Sequence, residues 1–243
     1  MLIQVGLVLF AATFIQGVVG FGMALVAMPL LAVTLGIRAA APLIALLGLL
    51  SPALIAWRYR QQLEWREIAP LAWGSLLGIP IGVALLRLVN EQIVTLALGL
   101  VLIGYGLYAL RWAVPPWRGT ARAAYGLGFA GGVLSGAYNT GGPALVIYGN
   151  SRRWPPRAFK ANIQVLVVLH SISVVASHAL AGNFTGDVWE VLPVGLLATA
   201  AGTGCGLLMD RFINEATFRR LVLLLLLVLG GRLVQVSLAG LLT

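Results

Sequence analysis

GVVGFGMALVAMPLL runs from Gly17 to Leu31, and GGVLSGAYNTGGPALVIYG runs from Gly131 to Gly149. Each stretch sets a cluster of glycines inside apolar sequence and follows it with the same tripeptide, ALV, at 24–26 and 144–146. Glycine is the residue that most readily lets a helix stop and restart, because it alone enters left-handed backbone conformations without a steric penalty. A chain that interrupts its apolar helices twice in one way, half its length apart, reads as two related halves.

The repetition extends outward from these stretches. Gly78, Gly82, Asn90, Glu91 and Gly106 recur 124 positions later as Gly202, Gly206, Asn214, Glu215 and Gly230, and Pro70 matches Pro193 with a slip of one residue. The halves are drawn at residues 1–118 and 119–243, together one membrane domain. Of the 243 residues 60% are hydrophobic and 9% charged, against about 25% charged in soluble domains. Hydropathy divides the chain into ten apolar segments, from 3–19 to 217–239. Most reach the roughly 20 residues that a helix needs to cross a bilayer. The segments at 22–35 and 142–150 are short for a crossing, so the expected glycine hinges are near the midplane, with short or re-entrant helices attached. The N-terminus has neither a basic leader nor a small-residue cleavage site and is expected to form the first membrane element.

Charge sets the topology. If loops are assigned alternately to two sides, thirteen of the sixteen basic residues, Arg118 and Arg211 among them, fall on one side, and only Arg38 and Arg87 on the other; Arg232 lies inside the last segment. The basic-rich side is cytoplasmic by the positive-inside rule, which places both termini outside. Five elements per half is an odd number, so the halves have opposite orientations. The expected fold is an all-α polytopic membrane protein of two inverted repeats, each of about five helical segments, an architecture that recurs among transporters. The formal charge of +9 is spread over short loops rather than gathered on a solvated face, which argues against a nucleic-acid partner.

The two glycine-rich stretches, the small size and the duplicated layout together resemble the sulfite exporter TauE/SafE family, also called the toluene-sulfonate uptake permease superfamily, over nearly the whole chain. The resemblance implies movement of a sulfur-containing anion, such as sulfite or a sulfonate, across the bacterial cytoplasmic membrane, with no cofactor and no enzymatic activity. The first stretch departs from the double-glycine form of the second, with Phe21 between Gly20 and Gly22, and Met23 where the second half has Pro143.

The residues themselves support an anion site. Gly20 and Gly22 in one half, and Gly141 and Gly142 in the other, leave backbone amides uncovered at the starts of the helices that continue through ALV, and helix N-termini favour anions. Gln16, Ser135, Asn139 and Thr140 are the nearby polar groups able to complete an oxyanion's hydrogen bonds. With Phe21, Met23 and Pro143 they make up the expected substrate-binding set, in which Phe21 also acts as a gate. On segment 161–180, Asn162, His170, Ser173 and Ser177 fall within about 80° on a helical wheel. Asn162 and His170 are added to the set, His170 as a ligand or as the carrier of a coupled proton. His178, near the segment end, is read as interfacial. Arg38 and Lys160 each begin the segment after a signature helix and are expected to attract anions at opposite mouths.

All seven acidic residues, Glu64, Glu67, Glu91, Asp187, Glu190, Asp210 and Glu215, fall in loops or at segment ends. No carboxylate is left in mid-membrane for a metal-cation path. The lone cysteine, Cys205, excludes an intrachain disulfide and is read as a packing residue. An exporter working by alternating access is the leading expectation. An importer, a permease for other small organic anions and a passive anion channel stay open, as do a coupling proton and a homo-oligomer.

Overall fold

The fold is described from a computed structural model covering residues 1–112, 119–209 and 212–242, without the side chains of 215, 216 and 242. Arg118, Asp210 and Arg211 lie outside the described residues, and the boundary drawn after residue 118 falls at the edge of the same gap. Among the described residues the secondary structure is helical: α1 (Leu2–Val19), α2 (Met23–Leu35), α3 (Ile37–Tyr59) with a short 3-10 turn (Arg60–Gln62), α4 (Trp65–Leu88), α5 (Glu91–Arg111), α6 (Ala121–Tyr138), α7 (Gly142–Ser151), α8 (Pro156–Leu180), α9 (Gly186–Met209) and α10 (Glu215–Leu242). The protein is a multi-pass membrane protein: seven of these helices, α1, α3, α4, α5, α8, α9 and α10, are long and apolar enough to cross a bilayer.

The two interruptions form where the glycine clusters predict them. α1 ends at Gly20, whose φ of +85° is left-handed and whose N–H donates to the Gln16 carbonyl at 2.7 Å. Gly22, at φ +113°, then starts α2. In the other half Asn139 takes the left-handed position, φ +55°, and its N–H donates to the Ser135 carbonyl at 2.8 Å. Asparagine tolerates this region better than other side-chain-bearing residues. The helices that restart have 13 residues in α2 and 10 in α7. At about 1.5 Å per residue these are roughly 20 and 15 Å long, too short to span about 30 Å of hydrocarbon.

α1 packs on α9 and α4 on α6, α3 pairs with α8 and α5 with α10, and α3 and α8 also touch α9 and α4 respectively. These pairings are unchanged when every helix is exchanged for the one five places along the chain. Glycine sets the closest approaches. Gly17 on α1 meets Gly206 on α9, with an added Cβ only 2.9 Å from the Gly206 Cα, and Gly136 on α6 meets Gly82 on α4 at 3.0 Å. Water does not drive helices together inside a bilayer, so small residues that permit backbone contact carry much of the association. Cys205 differs from its reading as a packing residue, since it lies exposed on α9. His178 differs too: it is buried, with Nδ1 2.8 Å from the Asn183 side-chain nitrogen.

Candidate functional site

A single cleft collects both interruptions. Its walls are Gln16 from α1, residues 21–25 from the first hinge and α2, Ile44, Gly48 and Pro52 from α3, Asn139, Thr140 and Gly142 from the second hinge, and Val167 and Ser171 from α8. Gly48 is the central residue of α3, so the cleft stands level with the middle of a spanning helix. The hinges are staggered on either side of that level. Gly20 lies against Lys160, the fifth residue of α8, and Asn139 donates from Nδ2 to the carbonyl of Ala41, the fifth residue of α3, at 2.7 Å.

The electrostatics of the cleft follow from helix ends. The first N–H groups of a helix have no intrahelical acceptor, and for α2 these belong to Gly22, Met23, Ala24 and Leu25, all four of which line the cleft. α7 contributes less: Gly142 lines the cleft, while Pro143 has no N–H to offer. Thr140 is 1% exposed, its backbone N–H is used by the Leu134 carbonyl, and its hydroxyl has no partner. A buried hydroxyl without a hydrogen bond costs free energy, and a bound acceptor in the cleft would satisfy it. Among the described residues no Asp or Glu lines the cleft.

Prolines and amides shape the walls. Pro52 has no N–H for the Gly48 carbonyl one turn back, and the Ser171 hydroxyl supplies the missing donor at 3.1 Å. Gln164, fully buried on α8, donates from Nε2 to the Gly20 carbonyl freed by the hinge, and its Oε1 accepts from Gln16 Nε2 at 3.2 Å. A carbonyl can only accept, so this chain of bonds orients both amides and ties the first hinge to α8.

The expected site residues therefore divide. Gln16, Phe21, Gly22, Met23, Asn139, Thr140 and Gly142 line the cleft. Gly20 stands behind it, held by Gln164. Ser135, Gly141 and His170 form a support beneath the second hinge. The Ser135 hydroxyl and His170 Nδ1 are 2.7 Å apart, and a Cβ on Gly141 would strike Ser135 Oγ and come within 2.5 Å of the Gly131 carbonyl oxygen. Pro143 is buried behind the hinge in the first turn of α7. Asn162 is not brought to the cleft, because its Oδ1 accepts from the Glu64 backbone N–H at 3.0 Å at the approach to α4. Ser173 bonds the Leu169 carbonyl of its own helix, so the predicted polar stripe on α8 breaks up. The polar face of α8 that matters carries Gln164 and Ser171, seven residues apart and so on one side of the helix. Sequence reasoning overlooked that spacing.

Lys160 lines a second cavity of about 550 Å³ with Phe21, Asn150, Trp154, Phe159 and Arg219 among its walls. Phe21 is the one residue whose side this cavity shares with the central cleft. Arg38 lines a third cavity, with Arg87. Near the second cavity Arg152, at the end of α7, forms an ion pair with Glu67 of α4 at 2.6 Å.

Broken helices meeting at a cleft inside a bundle of spanning helices are an arrangement that recurs among membrane transport proteins. The chain belongs to the sulfite exporter TauE/SafE family, whose sequence profile matches residues 5–233. It is similar to a probable sulfite/organosulfonate exporter TauE of Cupriavidus necator, with 26% identity over 234 residues, 92% of this chain and 90% of that protein. No solved structure matches it.

Proposed function

We propose that the protein is a secondary transporter that exports small sulfur-containing anions, sulfite or an organosulfonate, across a bacterial cytoplasmic membrane by alternating access. The observation that carries this reading is the cleft itself. The four N–H groups at the start of α2 that lack intrahelical acceptors belong to residues lining the cleft, as does Thr140 with its unpartnered hydroxyl, and among the described residues no carboxylate lines it. Donors fixed by the fold stabilise an anion without reorganising to receive it. Family membership and the name of the Cupriavidus necator relative support the choice of sulfur oxyanion.

The helix pairings that survive an exchange of five places support two inverted repeats at 1–118 and 119–243. The basic-rich loops support a cytoplasmic position for that face, with both termini outside. In this arrangement Lys160 and Arg219 line a cytoplasmic vestibule, and Phe21 partitions it from the cleft. The two hinges let the halves rock about the bound anion. His170 holds Ser135 beneath the second hinge, and a proton carried by His170 is the coupling reaction to test.

The test is flux into proteoliposomes for sulfite, methanesulfonate, sulfate and acetate, with and without an imposed pH gradient. Saturable flux of a sulfur oxyanion is expected, and absence of flux for both sulfite and methanesulfonate would end the reading. Gradient dependence that disappears in His170→Gln would identify His170 as the coupling residue. In the same assay Phe21→Ala is expected to raise flux about threefold or more and to reduce discrimination among the four anions, because it opens the partition between vestibule and cleft.

A further prediction follows from Gln164. Gln164→Leu leaves the Gly20 carbonyl and the Gln16 amide unpaired in a buried setting, a loss of about 1–3 kcal/mol per orphaned group. The half-saturating sulfite concentration is expected to rise about tenfold. In a Gln16→Leu background the same change is expected to add little to that rise, because the two amides act as one unit. Fully additive effects would show that the bond between the two amides contributes nothing to binding.

A further inference from the structure

On the topology proposed above, Arg38 and Arg87, separated by 49 positions in the chain, stand at helix ends on the face opposite the basic-rich loops. Arg38 is the second residue of α3 and Arg87 lies in the last turn of α4. Nothing in the topology requires them to be close, and like charges placed together repel. Yet both line one open cavity, with Leu86, Gly182, Asn183 and Thr185.

Among the described residues no acidic residue lines the cavity, and neither arginine forms an ion pair or a hydrogen bond to a protein group. Glu91, the carboxylate beside the start of α3, accepts the Ile37 backbone N–H through one oxygen at 2.9 Å and does not line the cavity. Asp187 and Glu190, near in sequence to Thr185, line a different cavity with Met1 and Thr34. Asn183 is held by His178 at 2.8 Å, which fixes one wall. Arg38 and Arg87 are both exposed and both line the cavity, and guanidinium groups carry planar forks of N–H donors that match the oxygens of sulfite, sulfate or phosphate.

We propose that Arg38 and Arg87, with Asn183 and Thr185, form an oxyanion-binding subsite on this face, distinct from the central cleft. Arg38 and Gly48 lie on the same helix, ten residues apart, so the subsite stands about 15 Å along α3 from the cleft. On the transport reading above, on which its role but not its existence rests, it is where exported anion pauses on leaving. The same chemistry would also hold the phosphate of a phospholipid headgroup, and the two sources separate experimentally.

Purified, delipidated protein in detergent is treated with phenylglyoxal, and modification of Arg38 and Arg87 is followed by peptide mass spectrometry. Arg60, exposed and stacked on Trp57 at 5.0 Å, serves as the internal reference. Sulfite or inorganic phosphate is expected to slow modification of both arginines fivefold or more relative to Arg60, and Arg87→Gln is expected to remove the protection of Arg38 while Arg87→Lys keeps part of it. Protection by phosphatidylglycerol but not by sulfite or phosphate would assign the same site to a lipid headgroup. Unchanged modification with every anion and lipid, or protection of Arg38 that persists in Arg87→Gln, would overturn the subsite. Because the readout is modification rather than flux, a wild-type protein that binds here but carries no sulfite would overturn the transport reading alone.

Discussion

Gly142→Leu is expected to abolish sulfite flux while leaving the purified protein as heat-stable as the wild type. Gly142 lines the cleft, its backbone is not in the left-handed region, and a Cβ added there meets no atom within 4 Å. A leucine side chain would therefore extend into empty space, occupy the cleft and cover the start of α7, at little cost to folding. Flux is expected to fall a hundredfold or more, about 2.7 kcal/mol at 1.36 kcal/mol per tenfold. The neighbouring Gly141→Leu provides the contrast. Its Cβ collides with Ser135 and the Gly131 carbonyl, so it is expected to lower both thermal stability and flux. Thermal unfolding of both variants, measured beside proteoliposome flux, separates a blocked cleft from a damaged fold. If Gly142→Leu transported at the wild-type rate, the cleft would not be the transport site.

Gly132→Val is expected to prevent accumulation of folded protein altogether. Gly132 faces α4 along the seam with α6, and a Cβ there would fall on the Ser75 carbonyl oxygen and 2.8 Å from the Ser75 Cα. These are backbone atoms and have no rotamer to escape into. Gly74, Gly78 and Gly82 on α4 and Gly128 and Gly136 on α6 make equally close approaches, so the strain cannot be passed along the seam. The Ser75 hydroxyl bonds across it to the Gly128 carbonyl at 3.0 Å and would be lost as well. Overpacking on this scale costs about 3 kcal/mol or more, a large share of the stability of most proteins. Gel filtration after detergent extraction is expected to show aggregate in place of a monodisperse peak. A well-folded Gly132→Val protein would mean that α4 and α6 are not held at glycine distance.

Much of the architecture was legible without coordinates, for reasons that differ from element to element. The first hinge could be read because Gly20 and Gly22 are the residue type that a left-handed backbone selects almost regardless of surroundings; of the second only the place could be read, since its left-handed position falls at Asn139 and not at Gly141 or Gly142. The spans could be read because a bilayer imposes one length and one polarity on whatever crosses it. The seven cleft residues identified in advance all sit within a few positions of a hinge, where local sequence and location in the fold are tied together. Asn162 was misplaced because a helical wheel ranks residues by angle and cannot say which angle faces the cleft. Gln164 and Ser171 were missed because their importance depends on a carbonyl elsewhere: Gly20, released by a hinge 144 positions away, and Gly48, released by Pro52.

By itself, then, the sequence determined a helical membrane protein, two interruptions with their positions, and a repeated pattern of glycines, since each is dictated by local backbone sterics or by the bilayer as solvent. Only the tertiary structure decided that both interruptions open onto one cleft, that Phe21 stands between that cleft and a basic cavity, and that Arg38 and Arg87 share a pocket. Those facts depend on which helix faces which at glycine distance, a non-local balance of packing that no stretch of chain contains.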